Sequence, residues 1–393
     1  MQGHDFVIVA DENIPFVRDS FGSYGEVRTL NGRDVTADCV RDADVLLVRS
    51  VTPVHAGLLE GSRVRFVGST TIGTDHIDQD YLRERGIAFA HAPGSNATSV
   101  VEYVLAALLR TAVRRGESLK GKTFGIVGVG NIGSRLAARL PALGMQLLTN
   151  DPPRADTGEM DGGAGGYVPL DLLLAESDVV TLHVPLEKQG PYPTFHLIGR
   201  EALERMKPGA WLLNTCRGPV VDNAVLRGRL EAGRLGAAVL DVWEGEPTPD
   251  LELLRLVDVA TPHIAGYSFD GKVNGTVMVY EAFLKHFRLE SAWHPEVVLD
   301  GTGADQLALT PPDEGSETRW LHALVRQMYD IGADDARMRS LLDLPPDEQA
   351  AYFTACRKHY PRRRTFSRFE LNASAVPPGL LTAVRDGLCV RLT

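Results

Sequence analysis

Six consecutive residues constrain this chain most. Gly128-Val129-Gly130-Asn131-Ile132-Gly133 directly follows the apolar run Phe124 to Val127 and opens a helical pattern that continues through Leu140. A strand that enters three glycines at this spacing and leaves as a helix closes as a tight strand-turn-helix unit of the dinucleotide-binding kind. Gly128 permits the turn, Gly130 lets the backbone approach a pyrophosphate, and Gly133 lets the helix pack closely on the strand. The unpaired amides at the helix start, and its dipole, favour the anion. Asp151 lies 18 residues beyond Gly133, at the end of the next candidate strand, where a carboxylate would hydrogen-bond an adenine-ribose hydroxyl. That carboxylate would repel a 2′-phosphate, so the expected cofactor is NAD. Arg154 argues the other way, because a guanidinium there could pair with a 2′-phosphate.

The surrounding sequence repeats the strand-helix alternation. Phe6 to Ala10, Val45 to Val48, Val64 to Val67 and Ala88 to Ala90 are candidate strands of a first region, with helical patterns between them. Asn96 to Arg115 predicts a long buried helix. Beyond it, candidate strands at Phe124 to Val127, Gln146 to Thr149, Asp178 to His183, Trp211 to Thr215, Ala237 to Val242 and Val257 to Thr261 describe a Rossmann-type doubly wound parallel sheet. Asp156 to Gly166 is expected to be a flexible surface loop. The helical stretch Phe269 to Phe287 is expected to return to the first region. Trp293 to Ser316 has the Pro, Gly and acidic content of a linker, and Glu317 to Thr393 predicts a third unit of helices with a short strand.

Composition excludes several classes. With 41 Lys plus Arg against 51 Asp plus Glu, the formal charge of −10 is wrong for a generic nucleic-acid binder. There is no long uncharged apolar run and no signal-peptide pattern at Met1 to Phe6, so no membrane partner and a cytoplasmic location are expected. Cys39, Cys216, Cys356 and Cys389 are scattered without zinc-ligand spacing, and no metal is expected. Cys216, beside Arg217, is either a small strand-end residue or a thiol with a lowered pKa.

Three polar residues end candidate strands or sit just after them: Arg217, Glu246 and His263. Ligands of open parallel sheets bind outside the carboxyl ends of the strands. Singly, each has an ordinary reading as an ion pair, a solvated turn or a satisfied core histidine. As a set they suit oxidation of a 2-hydroxy acid. Arg217 could hold the carboxylate, His263 could take the hydroxyl proton, and Glu246 could fix the other ring nitrogen and favour imidazolium.

Taken together, the fingerprint, Cys216-Arg217-Gly218, Asp241 in Leu-Asp-Val-Trp-Glu-Gly-Glu-Pro247, and Pro262-His-Ile-Ala-Gly266 resemble the D-isomer-specific 2-hydroxyacid dehydrogenase family. Val9-Ala-Asp11-Glu-Asn-Ile-Pro15, Leu47-Val-Arg49-Ser-Val-Thr52, Gly73-Thr-Asp-His-Ile-Asp78, Asn150-Asp-Pro-Pro-Arg-Ala-Asp156 and Ala265-Gly-Tyr267 narrow the resemblance to members acting on a phosphorylated 2-hydroxy acid. The resemblance implies an α/β chain of three parts. Residues 1–100 and 268–290 would form a smaller flavodoxin-like substrate (lid) domain, 101–267 the NAD domain, and 291–393 a linker with an α+β homodimerisation domain. Substrate would sit between the first two. It also implies that Asp241 and Gly266 join Gly128 to Gly133 and Asp151 in holding the nucleotide, and that Ser50, Thr71 and Tyr267 contact substrate. Val184 stands where the family pattern has threonine, so a hydroxyl contact to the nucleotide is absent there, while a backbone contact could survive.

A phosphorylated substrate asks for further cations. Arg49 ends a first-region strand, and Arg357, Lys358, Arg362, Arg363, Arg364 and Arg368 make the third unit locally basic. One arm of this cluster could reach a phosphate, within the chain or across a dimer interface, or the cluster is a solvated basic face. The competing functions are a dehydrogenase of 3-phosphoglycerate or D-lactate, and a non-catalytic NAD-sensing protein that regulates a partner.

Overall fold

A computed structural model describes residues 5–158, 166–295, 305–306 and 316–393. The chain divides into two compact units, residues 1–96 with 268–303 and residues 97–267 with 304–393. Among the described residues no helix is long and apolar enough to cross a membrane.

In the first unit, β1 (Phe6–Asp11), β2 (Gly25–Leu30), β3 (Val45–Val48), β4 (Phe66–Ser69) and β5 (Ala88–His91) form a parallel sheet in the order β2-β1-β3-β4-β5. This is the flavodoxin-like order. Every residue of β3 and β4 is buried, as a parallel sheet covered on both faces requires. The helix Phe269–Phe287 returns to this sheet. Its Phe283 ring stands 5.2 to 6.0 Å from the rings of Phe6, Phe21, Tyr24 and Phe66. Strand β2 is absent from the strands expected from sequence. It is an edge strand with one buried side chain, Val27, and with Glu26 and Arg28 paired at 2.9 Å on the surface; so short a half-polar run carries little periodic signal.

The second unit holds β6 (Thr123–Val127), β7 (Gln146–Asn150), β8 (Val179–Leu182), β9 (Trp211–Asn214), β10 (Ala237–Leu240) and β11 (Val259–Ala260), all parallel, in the order β11-β10-β9-β8-β6-β7. Beyond β7 a single parallel bridge joins Thr149 to Tyr167. With that bridge counted as a one-residue third strand, the sheet follows the six-strand Rossmann order as far as β10, and β11 adds a seventh strand at the edge. The loop expected over Asp156 to Gly166 lies mostly outside the described residues.

Residues after 304 add the helices Glu317–Met328, Ile331–Arg339 and Pro346–Lys358. They also add a small parallel sheet of β12 (Asp305–Gln306), β13 (Phe369–Leu371) and β14 (Arg391–Leu392), in that order. Leu321, Leu324 and Val325 share one core with Val101, Leu105 and Leu108 of the helix Ala97–Arg115, which is why that helix is apolar on nearly every face. The edge of the six-stranded sheet is closed by the same segment. Asp335 accepts from the Ala260 amide at 2.9 Å, and Arg339 donates to the carbonyls of Leu254 and Val257. An edge strand so covered offers no free ladder to another chain.

Candidate active site

Every loop that leaves a strand of the six-stranded sheet at its carboxyl end carries a residue singled out by the sequence. The glycine loop follows β6. A Cβ on Gly128, whose φ is +89°, would stand 2.6 Å from the His183 carbonyl oxygen, and one on Gly133 would stand 2.1 Å from the Gly128 oxygen. Gly130 has no atom within 4 Å of that position. Two of the glycines thus permit close approach within the protein, and Gly130 leaves the backbone open. Asn131 is exposed and Ile132 precedes the helix Gly133–Arg139.

Asp151 follows β7 and caps the next turn. Its carboxylate accepts from the Val129 amide at 2.8 Å and from the Arg154 amide at 3.2 Å. The Arg154 Nε lies 4.0 Å from the same carboxylate. After β8 come His183 and Val184, which with Gly128, Gly130 and Asp151 line a pocket of about 750 Å³. An open glycine backbone, a carboxylate at the end of the next strand and a pocket of this volume fit a dinucleotide. His183 escapes sequence reasoning. Burial pulls its pKa down to about 3, and its neutral ring lies between the Thr181 and Thr215 hydroxyls at 3.0 and 3.5 Å.

Arg217 follows β9 and donates to the Cys216 carbonyl at 2.8 Å. Burial pushes the Cys216 thiol up to about 11, so it is no thiolate at neutral pH. After β10, Glu246 accepts from the Trp243 amide at 2.9 Å through one oxygen and meets Nδ1 of His263 at 2.8 Å through the other. Burial alone would raise the Glu246 carboxyl. The hydrogen bond and charge of His263, the Trp243 amide and the Arg357 guanidinium outweigh burial and hold it below 4.5.

His263, after β11, has a φ of +59°, a conformation that L residues adopt only when their surroundings impose it. Asp241 supplies that imposition. Its carboxylate accepts from the Thr261 hydroxyl and the Ile264 and Ala265 amides at 2.6 to 2.8 Å, and its carbonyl accepts from the His263 amide at 2.7 Å. Burial pushes this carboxyl up against the pull of His263 and of its hydrogen bonds. Arg363 adds a further tie that the sequence did not announce, donating to the Ala265 and Ser99 carbonyls at 3.0 and 2.6 Å. Gly266 and Tyr267 complete the loop, and the Tyr267 ring meets the Tyr360 ring edge-on at 5.7 Å.

Arg49, Ser50 and Thr71 lie in the first unit, at or just beyond the carboxyl ends of β3 and β4. Thr71 bonds the Ser69 hydroxyl at 2.9 Å and Ser50 is exposed. Lys272 of the helix Phe269–Phe287 was not expected there. Burial and the charge of Arg49 beside it pull its ammonium down to about 8.

Comparison with known proteins places these features. Residues 101–265 match the family described as D-isomer specific 2-hydroxyacid dehydrogenase, NAD binding domain, and residues 304–381 match a domain of unknown function, DUF3410. The chain is 53% identical over 386 residues to erythronate-4-phosphate dehydrogenase of Salinibacter ruber, covering 98% of each. It is 49% identical to the enzyme of that name from Azotobacter vinelandii, covering 96% of this chain and 98% of the relative. Among solved structures, the TT0316 protein of Thermus thermophilus is similar with a TM-score of 0.62 at 28% identity, over 73% of this chain and 98% of its own. D-lactate dehydrogenase of Aquifex aeolicus, complexed with NAD and lactic acid, is similar with a TM-score of 0.57 at 27% identity, over 72% of this chain and 94% of its own.

Proposed function

The chain belongs to the erythronate-4-phosphate dehydrogenases, within the D-isomer-specific 2-hydroxyacid dehydrogenase family, and from that premise we propose that it oxidises 4-phospho-D-erythronate to 2-oxo-3-hydroxy-4-phosphobutanoate with NAD, in pyridoxal 5′-phosphate biosynthesis. The observation that carries this reading is the Glu246 to His263 contact of 2.8 Å on loops of the same sheet as the glycine fingerprint.

Glu246 engages Nδ1 and leaves Nε2 of His263 to exchange a proton with the substrate hydroxyl. Because Glu246 stays ionised, the imidazolium formed when that proton arrives has a carboxylate beside it. Arg217, on the loop after the strand next to β10, supplies a forked cation for the substrate carboxylate and for the carbonyl oxygen that develops. Bound NAD supplies a hydride acceptor. Gly128, Gly130, Asn131, Ile132, Gly133, Asp151, Val184, Asp241 and Gly266 belong to the proposed nucleotide site, and Arg49, Ser50, Thr71 and Tyr267 to the substrate contacts. Lid, NAD and dimerisation roles for residues 1–100 with 268–290, 101–267 and 291–393, a homodimer and a cytoplasmic location are parts of the same proposal.

Nicotinamide fluorescence after addition of 4-phospho-D-erythronate and NAD tests it, with 3-phosphoglycerate and D-lactate beside. Faster reduction by either of the last two would keep the reaction class and remove the named substrate.

A further inference from the structure

A substrate with a carboxylate at one end and a phosphate at the other needs two anion receptors, and Arg217 provides only one. The second is sought among cations that reach the catalytic loops without being committed to holding the fold. Arg363 and Arg339 are committed, since their guanidinium groups donate to backbone carbonyls. Arg357 is not. It sits in the last turn of the helix Pro346–Lys358. Its guanidinium carbon lies 5.9 Å from the centre of the Tyr267 ring, and its charge is among those that hold Glu246 ionised. Its Nε is buried with no hydrogen-bond partner, and it forms no ion pair among the described residues.

Arg357 as a whole is only half-buried, so a guanidinium partly open beside an aromatic face is left for a planar anion contact. A neighbouring carboxylate such as Glu246 makes the local field unsuited to a second free carboxylate unless a cation stands between. Arg357 brings a cation to Glu246 and to Tyr267, the last residue of the histidine loop. The segment that carries it, residues 304–381, matches the domain of unknown function DUF3410.

We propose that Arg357 binds the phosphate end of the substrate, so that this segment sets the preference for phosphorylated over plain 2-hydroxy acids; the identity of the acid rests on the function proposed above, the anion site does not. In the R357Q variant of the full chain, loss of a charge-assisted contact is expected to raise KM for 4-phospho-D-erythronate roughly 10- to 100-fold, a larger change than any in kcat. The loss in kcat/KM is expected to be at least roughly tenfold larger for 4-phospho-D-erythronate than for D-erythronate, which lacks the phosphate, and R357K is expected to recover part of it. Equal losses on both acids, or none on the phosphorylated one, would overturn the proposal.

Titration of inorganic phosphate into the NAD-loaded protein by calorimetry separates the two readings. A wild-type protein that oxidises neither acid would sink the substrate assignment. Phosphate binding weakened roughly tenfold or more by R357Q would still support the anion site. Phosphate affinity equal in wild type and R357Q would remove it.

Discussion

The glycine loop after β6 and the histidine loop after β11 leave the same sheet at the same end, yet they are shaped by opposite means. The glycine loop owes its shape to missing side chains, because a Cβ on Gly128 or Gly133 would collide with the His183 or Gly128 carbonyl oxygen at 2.6 or 2.1 Å. The histidine loop carries a φ of +59° at a residue that does not favour it. Asp241 from the end of β10 and Arg363 from far along the chain hold it there. A binding loop can be written locally, whereas a loop that must aim one ring nitrogen is held by tertiary contacts.

If that division is right, damage to the two loops has separable effects. His263→Ala removes the proton acceptor and should lower kcat by roughly 10²- to 10⁴-fold with NAD affinity intact, since the glycine loop does not depend on it. Stopped-flow turnover with a parallel NAD titration measures both, and a large loss of NAD affinity would erase the contrast. Gly128→Ala meets both a positive φ and the His183 carbonyl, and should lower unfolding free energy by about 1–3 kcal/mol with weaker NAD binding. Its kcat at saturating NAD should stay near wild type. Asp241→Asn keeps the shape but turns a donor toward amides that need an acceptor. A loss of about 1–3 kcal/mol in urea unfolding is expected, with kcat falling and NAD binding weakened too, because Asp241 is also a proposed nucleotide contact. Unchanged kcat in a destabilised protein would mean that the loop holds its ring without Asp241.

The same contrast explains what could be read from the sequence. The glycine loop, Asp151 and the ends of β6 to β11 were legible because spacing and apolar runs are local properties. The set of Arg217, Glu246 and His263 was legible as residue types at strand ends, and Glu246 lies 2.8 Å from His263 Nδ1. His183 was not, because a neutral histidine between two threonines is indistinguishable in sequence from any strand-end residue. Neither Asp335 on the β11 edge nor Arg363 on the histidine loop leaves a local trace, since each acts on backbone far away in the chain. Edge strand β2 was missed for a simpler reason, its single buried side chain.

Lys272 extends the comparison to the first unit, where it and Arg49 are brought together only by the return of the helix Phe269–Phe287 to the sheet. Burial, with the charge of Arg49 beside it, lowers its pKa from 10.5 to about 8. Below about pH 8 the lysine is charged in folded and unfolded chains alike, and folding carries the full desolvation penalty. Between about 8 and 10.5 the unfolded chain still binds a proton that the folded chain has released, so stability rises with pH. The K272M variant should therefore exceed wild type in stability at pH 7, with the gap narrowing as pH climbs through 8 toward 10.5. Urea unfolding of both proteins across that range measures it. A gap that does not change with pH would mean that the helix and sheet leave Lys272 solvated, and that the first unit lacks the tertiary charge pair that makes it comparable to the histidine loop.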